Sequence, residues 1–286
     1  MTDHETAAEP AEAWAGDRVT RWLRLAPGLE RQLAPVTPLL FEAAAVQPGE
    51  AVLDVGCGTG PTTRAAAALA GPGGRVTGLD ISPEMLAAAG ALPAEGAPID
   101  WVEADAVTWT PPPAGWDLVL SSFGVMFFSD PPAAVRNLAT ATRPGGRLAV
   151  AVWGPRNESE LFDLPYDLAL AARRAHEGAG EEQPVDAGPG SWSDRDVVTA
   201  LLTGAGWRDV TVTPHRLRLA FGGGLDPRAA ADTSLELGPA RIAMKGAAEG
   251  TIAAFRDELE NVYRDRVDEN GHVVLGASIR IVTARR

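Results

Sequence analysis

The chain has 286 residues, is 45% hydrophobic and 22% charged, and carries a formal net charge of −13. That length and balance fit one large α/β domain with insertions. The acid excess, with Lys245 the only lysine, argues against a nucleic-acid partner, which needs a basic face; no apolar run reaches membrane-spanning length, and one cysteine excludes an internal disulfide.

Met1–Pro10 is acidic without an apolar stretch, so no signal peptide is expected and the setting reads as reducing and cytoplasmic. Ala11–Val46 reads as helical, with Trp14, Val19, Trp22, Leu23, Leu33 and Leu40 on its apolar faces. Such a layer either covers a sheet or folds over a ligand and excludes water.

Val52-Leu53-Asp54-Val55 reads as a buried strand, followed by the turn Gly56-Cys57-Gly58-Thr59-Gly60 and a helix opening at Pro61-Thr62-Thr63. Alternate glycines let the backbone turn tightly and lie close to a ligand. The first N–H groups of the helix lack partners within it and suit a polar or anionic group. The dinucleotide fingerprint spaces its glycines G-x-G-x-x-G. Here the third glycine comes one residue early, and Pro61 takes the dinucleotide position. Cys57 reads as a small residue beside backbone rather than as a reactive thiol.

Arg75-Val76-Thr77-Gly78-Leu79-Asp80 is a second strand, ending in an acid about 20 residues past the glycines, the spacing at which an acid grips ribose hydroxyls. Ser82 then caps a helix with Pro83 at its first position and Glu84 in its first turn. Ile99–Glu103 is a third strand, leaving through Ala104-Asp105-Ala106. Trp116–Phe123 is a fourth, followed by Gly124-Val125-Met126-Phe127-Phe128 and a helix capped by Asp130-Pro131-Pro132. Arg143-Pro144-Gly145-Gly146-Arg147 turns into a fifth strand, Leu148–Trp153.

Residues 154–190 break this rhythm and read as a mobile insertion after the fifth strand, with Leu161–Ala175 helical and Gly178–Gly190 rich in Gly, Glu and Pro. Ser193–Asp196 opens a helix ending near Gly204–Gly206, before a sixth strand around Asp209–Thr213. Phe221–Gly224 reads as a hinge-like break, Asp226–Arg266 as one helical stretch, and Ala277–Thr283 as a seventh strand. The chain divides into a helical cap (1–46), a core (47–153), an insertion (154–190), a helix with the sixth strand (191–220), a helical insertion (221–272) and the last strand (273–286).

The pattern Asp54-x-Gly56-x-Gly58-x-Gly60, followed by Asp80-Ile81-Ser82-Pro83-Glu84-Met85-Leu86 and the Pro-Gly-Gly turn, resembles the class I S-adenosylmethionine-dependent methyltransferases over about residues 45–153. That resemblance implies a Rossmann-like sheet ordered 3-2-1-4-5-7-6, with strand 7 antiparallel and helical lid insertions. It implies S-adenosylmethionine as cofactor, held by Asp54, Gly56, Cys57, Gly58, Gly60, Thr63, Asp80, Ile81, Met85, Asp105, Ala106 and Ser121. Within it, Ile81 packs on adenine and Asp105 accepts from the adenine amino group.

An Asn/Asp-Pro-Pro-aromatic motif after the fourth strand would mark amino-group methylation, and this chain lacks it. Phe123–Phe128 instead resembles the ubiquinone/menaquinone and natural-product tailoring subgroup. Trp14, Trp22, Phe123, Met126, Phe127 and Trp153 are therefore expected to line the pocket of a small, fairly apolar acceptor. A general base is needed only if the acceptor must lose a proton. His176 in the insertion is the candidate; His4, His215 and His272 read as solvated or structural. No metal, nucleic acid or membrane is expected, and a homodimer is left open. The rival readings are a tRNA or protein methyltransferase, or a sulfonium-binding protein that does not methylate.

Overall fold

The computed structural model describes residues 14, 16–112, 115–178 and 192–286. Strand β1 (Ala51–Val55) is buried at all five positions, as a strand covered on both faces must be. It pairs in parallel with β2 (Arg75–Asp80) on one side and β4 (Trp116–Ser122) on the other. β3 (Ile99–Glu103) lies outside β2, and β5 (Thr142–Trp153) outside β4. β7 (Val274–Arg285) runs antiparallel between β5 and β6 (Arg208–Ala220). The order is β3-β2-β1-β4-β5-β7-β6, as the resemblance implies. Strand order reverses at β1, and such a sheet binds ligands outside the carboxyl ends there.

Helices cover both faces. Those of the core are α1 (Asp17–Leu33), α2 (Val36–Ala44), α3 (Pro61–Ala70), α4 (Pro83–Gly90) and α5 (Pro131–Ala141). After β5 come α6 (Glu160–Glu177), α7 (Arg195–Gly204), α8 (Pro227–Ser234), α9 (Gly238–Ala243) and α10 (Glu249–Arg264). Their starts follow local chemistry. Ser82 Oγ accepts from Met85 N–H, Asp130 Oδ1 from Ala133 N–H and Asp226 Oδ1 from Ala229 N–H, each with proline in the first turn. The Arg147 guanidinium on β5 donates to the Ala44 and Ala45 carbonyls at the end of α2 and to both Glu50 oxygens, tying this helix to the sheet.

Several boundaries differ from the sequence expectation. The N-terminal helical stretch breaks between Leu33 and Val36, at Pro35. The stretch 226–266 is three helices, because Gly238 with Pro239 restarts the chain after Leu237 and Ala248 turns it again before α10. β5 begins at Thr142, upstream of the expected turn, and its pairing with β4 is irregular between Trp116 and Leu118.

Within the expected mobile insertion, α6 buries Leu161, Tyr166 and Ala169, and Leu161 and Ala169 join a second hydrophobic cluster with Phe255, Leu259 and Tyr263 of α10. Its Gly178–Gly190 part falls almost wholly outside the described residues. Phe221–Gly224 does not hang free: Gln32 Oε1 accepts from Gly222 N–H at 2.6 Å, and Arg31 Nε donates to the Gly223 carbonyl at 3.2 Å. Among the described residues, no helix is long and apolar enough to cross a membrane.

Candidate active site

The carboxyl ends of β3, β2, β1, β4 and β5 open into one cavity, roofed by α1. Sheet order arranges its walls in a row. Ala104–Ala106 follow β3, Asp80 and Ile81 end β2, Gly56–Thr59 follow β1, Ser122–Gly124 follow β4, and Trp153 ends β5.

The β1 station is built around Asp54, which is fully buried. Its Oδ2 accepts from the Thr62 and Thr63 hydroxyls, both at 2.7 Å, fixing the start of α3 beneath the loop. Its Oδ1 is buried without a partner. Burial raises the carboxyl to about 6 against the two threonine bonds, with nearby Asp80 adding to the rise. Above it the loop carries Gly56 at φ +64°, where a Cβ would stand 2.8 Å from Gly124 Cα. A Cβ on Gly58 (φ +53°) would meet nothing within 4 Å, so the backbone there faces open space. Burial, with Asp54 and Asp80 nearby, pushes the Cys57 thiol up, so the sulfur stays protonated and inert.

Asp80 is joined to that loop. Its Oδ2 accepts from Gly58 N–H at 2.8 Å and its Oδ1 from Ser82 N–H at 3.0 Å. Burial raises the Asp80 carboxyl, and these backbone N–H groups partly offset the shift. Each carboxylate oxygen can accept more than one bond, so capacity for a ligand remains. At the β3 station Asp105 Oδ1 accepts from Val107 N–H at 2.9 Å, which shapes the exit loop. The Asn137 amide of α5 donates to the Ala106 carbonyl at 2.9 Å and also to the Trp109 carbonyl. Ile81, Met85, Asp105 and Ala106 all line the cavity.

The far end is aromatic. The Phe123 ring lies against Trp153 with centroids 4.4 Å apart and planes at 30°, and Trp153 meets Phe162 edge-on at 4.9 Å. Phe123 holds φ +63°, a left-handed conformation rare for a bulky side chain. Trp14 packs edge-on against both Trp22 and Phe127, at 5.6 and 5.3 Å.

Six expected site residues fall outside the cavity wall, the buried Asp54 beneath the loop among them. Ser121 is fully buried, and its hydroxyl donates to the Val55 carbonyl at 2.7 Å while accepting from Gly124 N–H, bracing β1 against the exit of β4. Side chains alternate along a strand, so its neighbour Ser122 faces the cavity instead. Thr63 is spent on Asp54. Gly60 serves as the left-handed N-cap of α3, beneath the Trp101 ring. Met126 is buried, with Sδ accepting from Trp153 N–H at 3.3 Å. His176 is exposed at the last turn of α6, away from the cavity, so it is not placed to act as a base.

Sequence reasoning missed Glu30, Leu29 and Gln32 of α1, together with Thr59 and Phe128. The Thr59 hydroxyl donates to Glu30 Oε1 at 2.6 Å. No local motif marks Glu30, because its partner lies 29 residues away.

Among the described lining residues, Glu30, Asp80 and Asp105 carry carboxylates and none is Lys, Arg or His. A wall of this kind suits a ligand with net positive charge that brings hydroxyl and amine donors. With the unpartnered Asp54 oxygen below and the open approach at Gly58, it fits S-adenosylmethionine, which carries a ribose, an adenine amine and a sulfonium.

Comparison with known proteins agrees. Residues 52–146 match the family model described as Methyltransferase domain. An uncharacterized protein of Mycobacterium tuberculosis is 34% identical over 152 residues, 52% of this chain and 54% of that protein. The chain thus spans about half the length of that curated relative. A demethylmenaquinone methyltransferase of Beutenbergia cavernae is 31% identical over 175 residues, 59% of this chain and 70% of that enzyme. Among solved structures, the YcgJ protein of Bacillus subtilis superposes with a TM-score of 0.53 at 14% identity, covering 87% of this chain and 97% of that one. Motif order, sheet order and these relatives place the chain in the class I S-adenosylmethionine-dependent methyltransferase family.

Proposed function

We propose that this protein transfers a methyl group from S-adenosylmethionine to a small, largely apolar acceptor. The observation that carries the reading is the row of stations at the strand ends, acidic from β3 to β1 and aromatic from β4 to β5. The cofactor supplies a methyl group on a positively charged sulfur. Asp80 accepts the ribose hydroxyls, Asp105 accepts the adenine amine, and Ile81 with Met85 packs on the adenine. Gly56–Gly58 let the main chain approach the methionyl part. Phe123, Trp153, Phe127, Trp14 and Trp22 hold the acceptor by apolar contact and exclude water from it.

With no histidine or lysine among the described lining residues, the chain works mainly by holding its two ligands in line. Alignment of that kind is worth up to about 7–11 kcal/mol. The relative from Beutenbergia cavernae is named for demethylmenaquinone, an apolar ring acceptor, and the aromatic shelf supports the same chemical class here.

The test incubates the protein with methyl-labelled S-adenosylmethionine and three acceptor sets: apolar quinols and phenols, bulk tRNA, and protein. Label in the first set alone is expected. Label confined to tRNA or protein would contradict the acceptor class, and binding without transfer to any set would contradict the activity.

A further inference from the structure

The strand order assigns three of the four carboxylates at this site. Asp105 stands at β3 and Asp80 at β2, and Asp54 lies under the β1 loop, where the threonines of α3 engage it. The fourth, Glu30, belongs to the roofing helix and not to the sheet. It reaches down to the β1 station, where Thr59 holds its Oε1 at 2.6 Å. Glu30 lines the cavity, and its bond to Thr59 places it at the β1 end, which the strand order sets between β2 with Asp80 and β4 and β5 with the aromatic shelf.

The helix that carries Glu30 is itself fixed. Gln32 and Arg31 bond the Gly222–Gly223 turn, and a Cβ on Gly28 would stand 2.5 Å from the Gly222 carbonyl oxygen. Glu30 is therefore a positioned charge and not a solvated side chain on a loose cap. The part of the ligand that falls between ribose and acceptor in this row is the part that carries the sulfonium. No described basic side chain lines the cavity.

We propose that Glu30 reads the charge state of the cofactor: its carboxylate, clasped to the glycine loop by Thr59, faces the sulfonium and makes the site prefer S-adenosylmethionine over the neutral S-adenosylhomocysteine. This rests on the methyltransferase reading above. Glu30 is a specificity-determining residue, and its charge favours release of the spent, uncharged cofactor after transfer.

Glu30→Gln keeps an oxygen that can accept the Thr59 hydroxyl and removes only the charge. The test is calorimetric titration of wild type and Glu30→Gln with each of the two ligands. A unit charge in a half-buried setting predicts a roughly tenfold loss of S-adenosylmethionine affinity. Affinity for S-adenosylhomocysteine is expected to hold within about twofold, since its thioether sulfur carries no charge for Glu30 to face.

An equal loss for both ligands would overturn the proposal and assign Glu30 to the shared ammonium. No change for either would make Glu30 a strut between α1 and the loop. Wild-type protein gives an independent readout that needs no variant: it is expected to bind S-adenosylmethionine the more tightly, and the reverse order would overturn the proposal. If neither ligand binds folded wild type, the methyltransferase reading falls and this proposal with it. If both bind and Glu30→Gln leaves their ratio unchanged, only this proposal falls.

Discussion

Gly58 and Asp80 are joined across 22 residues by one hydrogen bond, from the loop N–H to carboxylate Oδ2 at 2.8 Å. The bond couples the end of β1 to the end of β2, so one acid shapes the glycine loop and presents acceptor oxygens to the ligand. The remaining bond capacity of Asp80 is what the ribose hydroxyls take in the proposed complex. Asp80→Ala should lose about 2–4 kcal/mol of S-adenosylmethionine affinity, at about 1.5–3 kcal/mol per charge-assisted bond less solvent compensation. A folded variant with wild-type affinity in calorimetry would mean that the acid only shapes the loop.

Phe123 combines a strained backbone with a stacked ring. Left-handed geometry costs a non-glycine residue about 1–2 kcal/mol. Removing a buried aromatic ring costs about 3–5 kcal/mol. Phe123→Ala loses the ring and keeps the strain at φ +63°, whereas Phe123→Gly loses the ring and relieves it. The larger backbone entropy of glycine, about 0.5–1 kcal/mol, only partly offsets that relief. Phe123→Gly should therefore be at least as stable as Phe123→Ala in urea unfolding, the reverse of the order at an unstrained site. Both should raise the acceptor KM and leave cofactor affinity near wild type. If Phe123→Ala is the more stable by 1 kcal/mol or more, position 123 holds no such strain.

Asp54 sets a pH dependence with an unusual sign. Its folded pKa of about 6 lies above the ordinary carboxylate value of 3.8, so the folded state binds the proton more tightly than the unfolded chain. Stability from this group is greatest below pH 3.8, declines as pH rises to about 6, and is flat above. A shift of about 2 units corresponds to roughly 3 kcal/mol. Asp54→Asn removes this dependence, while carboxylates other than the neighbouring Asp80 titrate alike in both proteins. The stability of wild type relative to Asp54→Asn should thus fall between pH 4 and pH 6.5 in denaturant titrations of the ligand-free protein. A difference that stays constant across that range would refute the buried-acid reading.

The core was legible because its signals are local. A five-residue apolar strand, alternate glycines and an acid about 20 residues on lie within one stretch of chain, and the structure puts them at adjacent strand ends. Register was less legible: placing Ser121 rather than Ser122 in the cavity is a one-residue difference that turns a side chain from one face to the other. Long-range partners were not legible at all. Glu30 meets Thr59, Gln32 meets Gly222, and the Trp101 ring lies within 2.6 Å of where a Cβ on Gly78 would stand. Gly78 is thus kept bare so that Trp101 can cross β2 to the glycine loop, a constraint that no periodicity displays. His176 stood out because histidine titrates near neutrality, but the end of α6 leaves it in solvent.

The central claim is that acids at β3 and β2 and aromatics at β4 and β5 hold two halves of one reaction in line. A crystal structure of the protein grown with S-adenosylhomocysteine tests it most directly. Ribose hydroxyls are expected within hydrogen-bond distance of Asp80, the adenine amine at Asp105, and the sulfur directed toward Phe123 and Trp153. A ligand bound elsewhere, or one whose sulfur points away from the Phe123–Trp153 shelf, would contradict it.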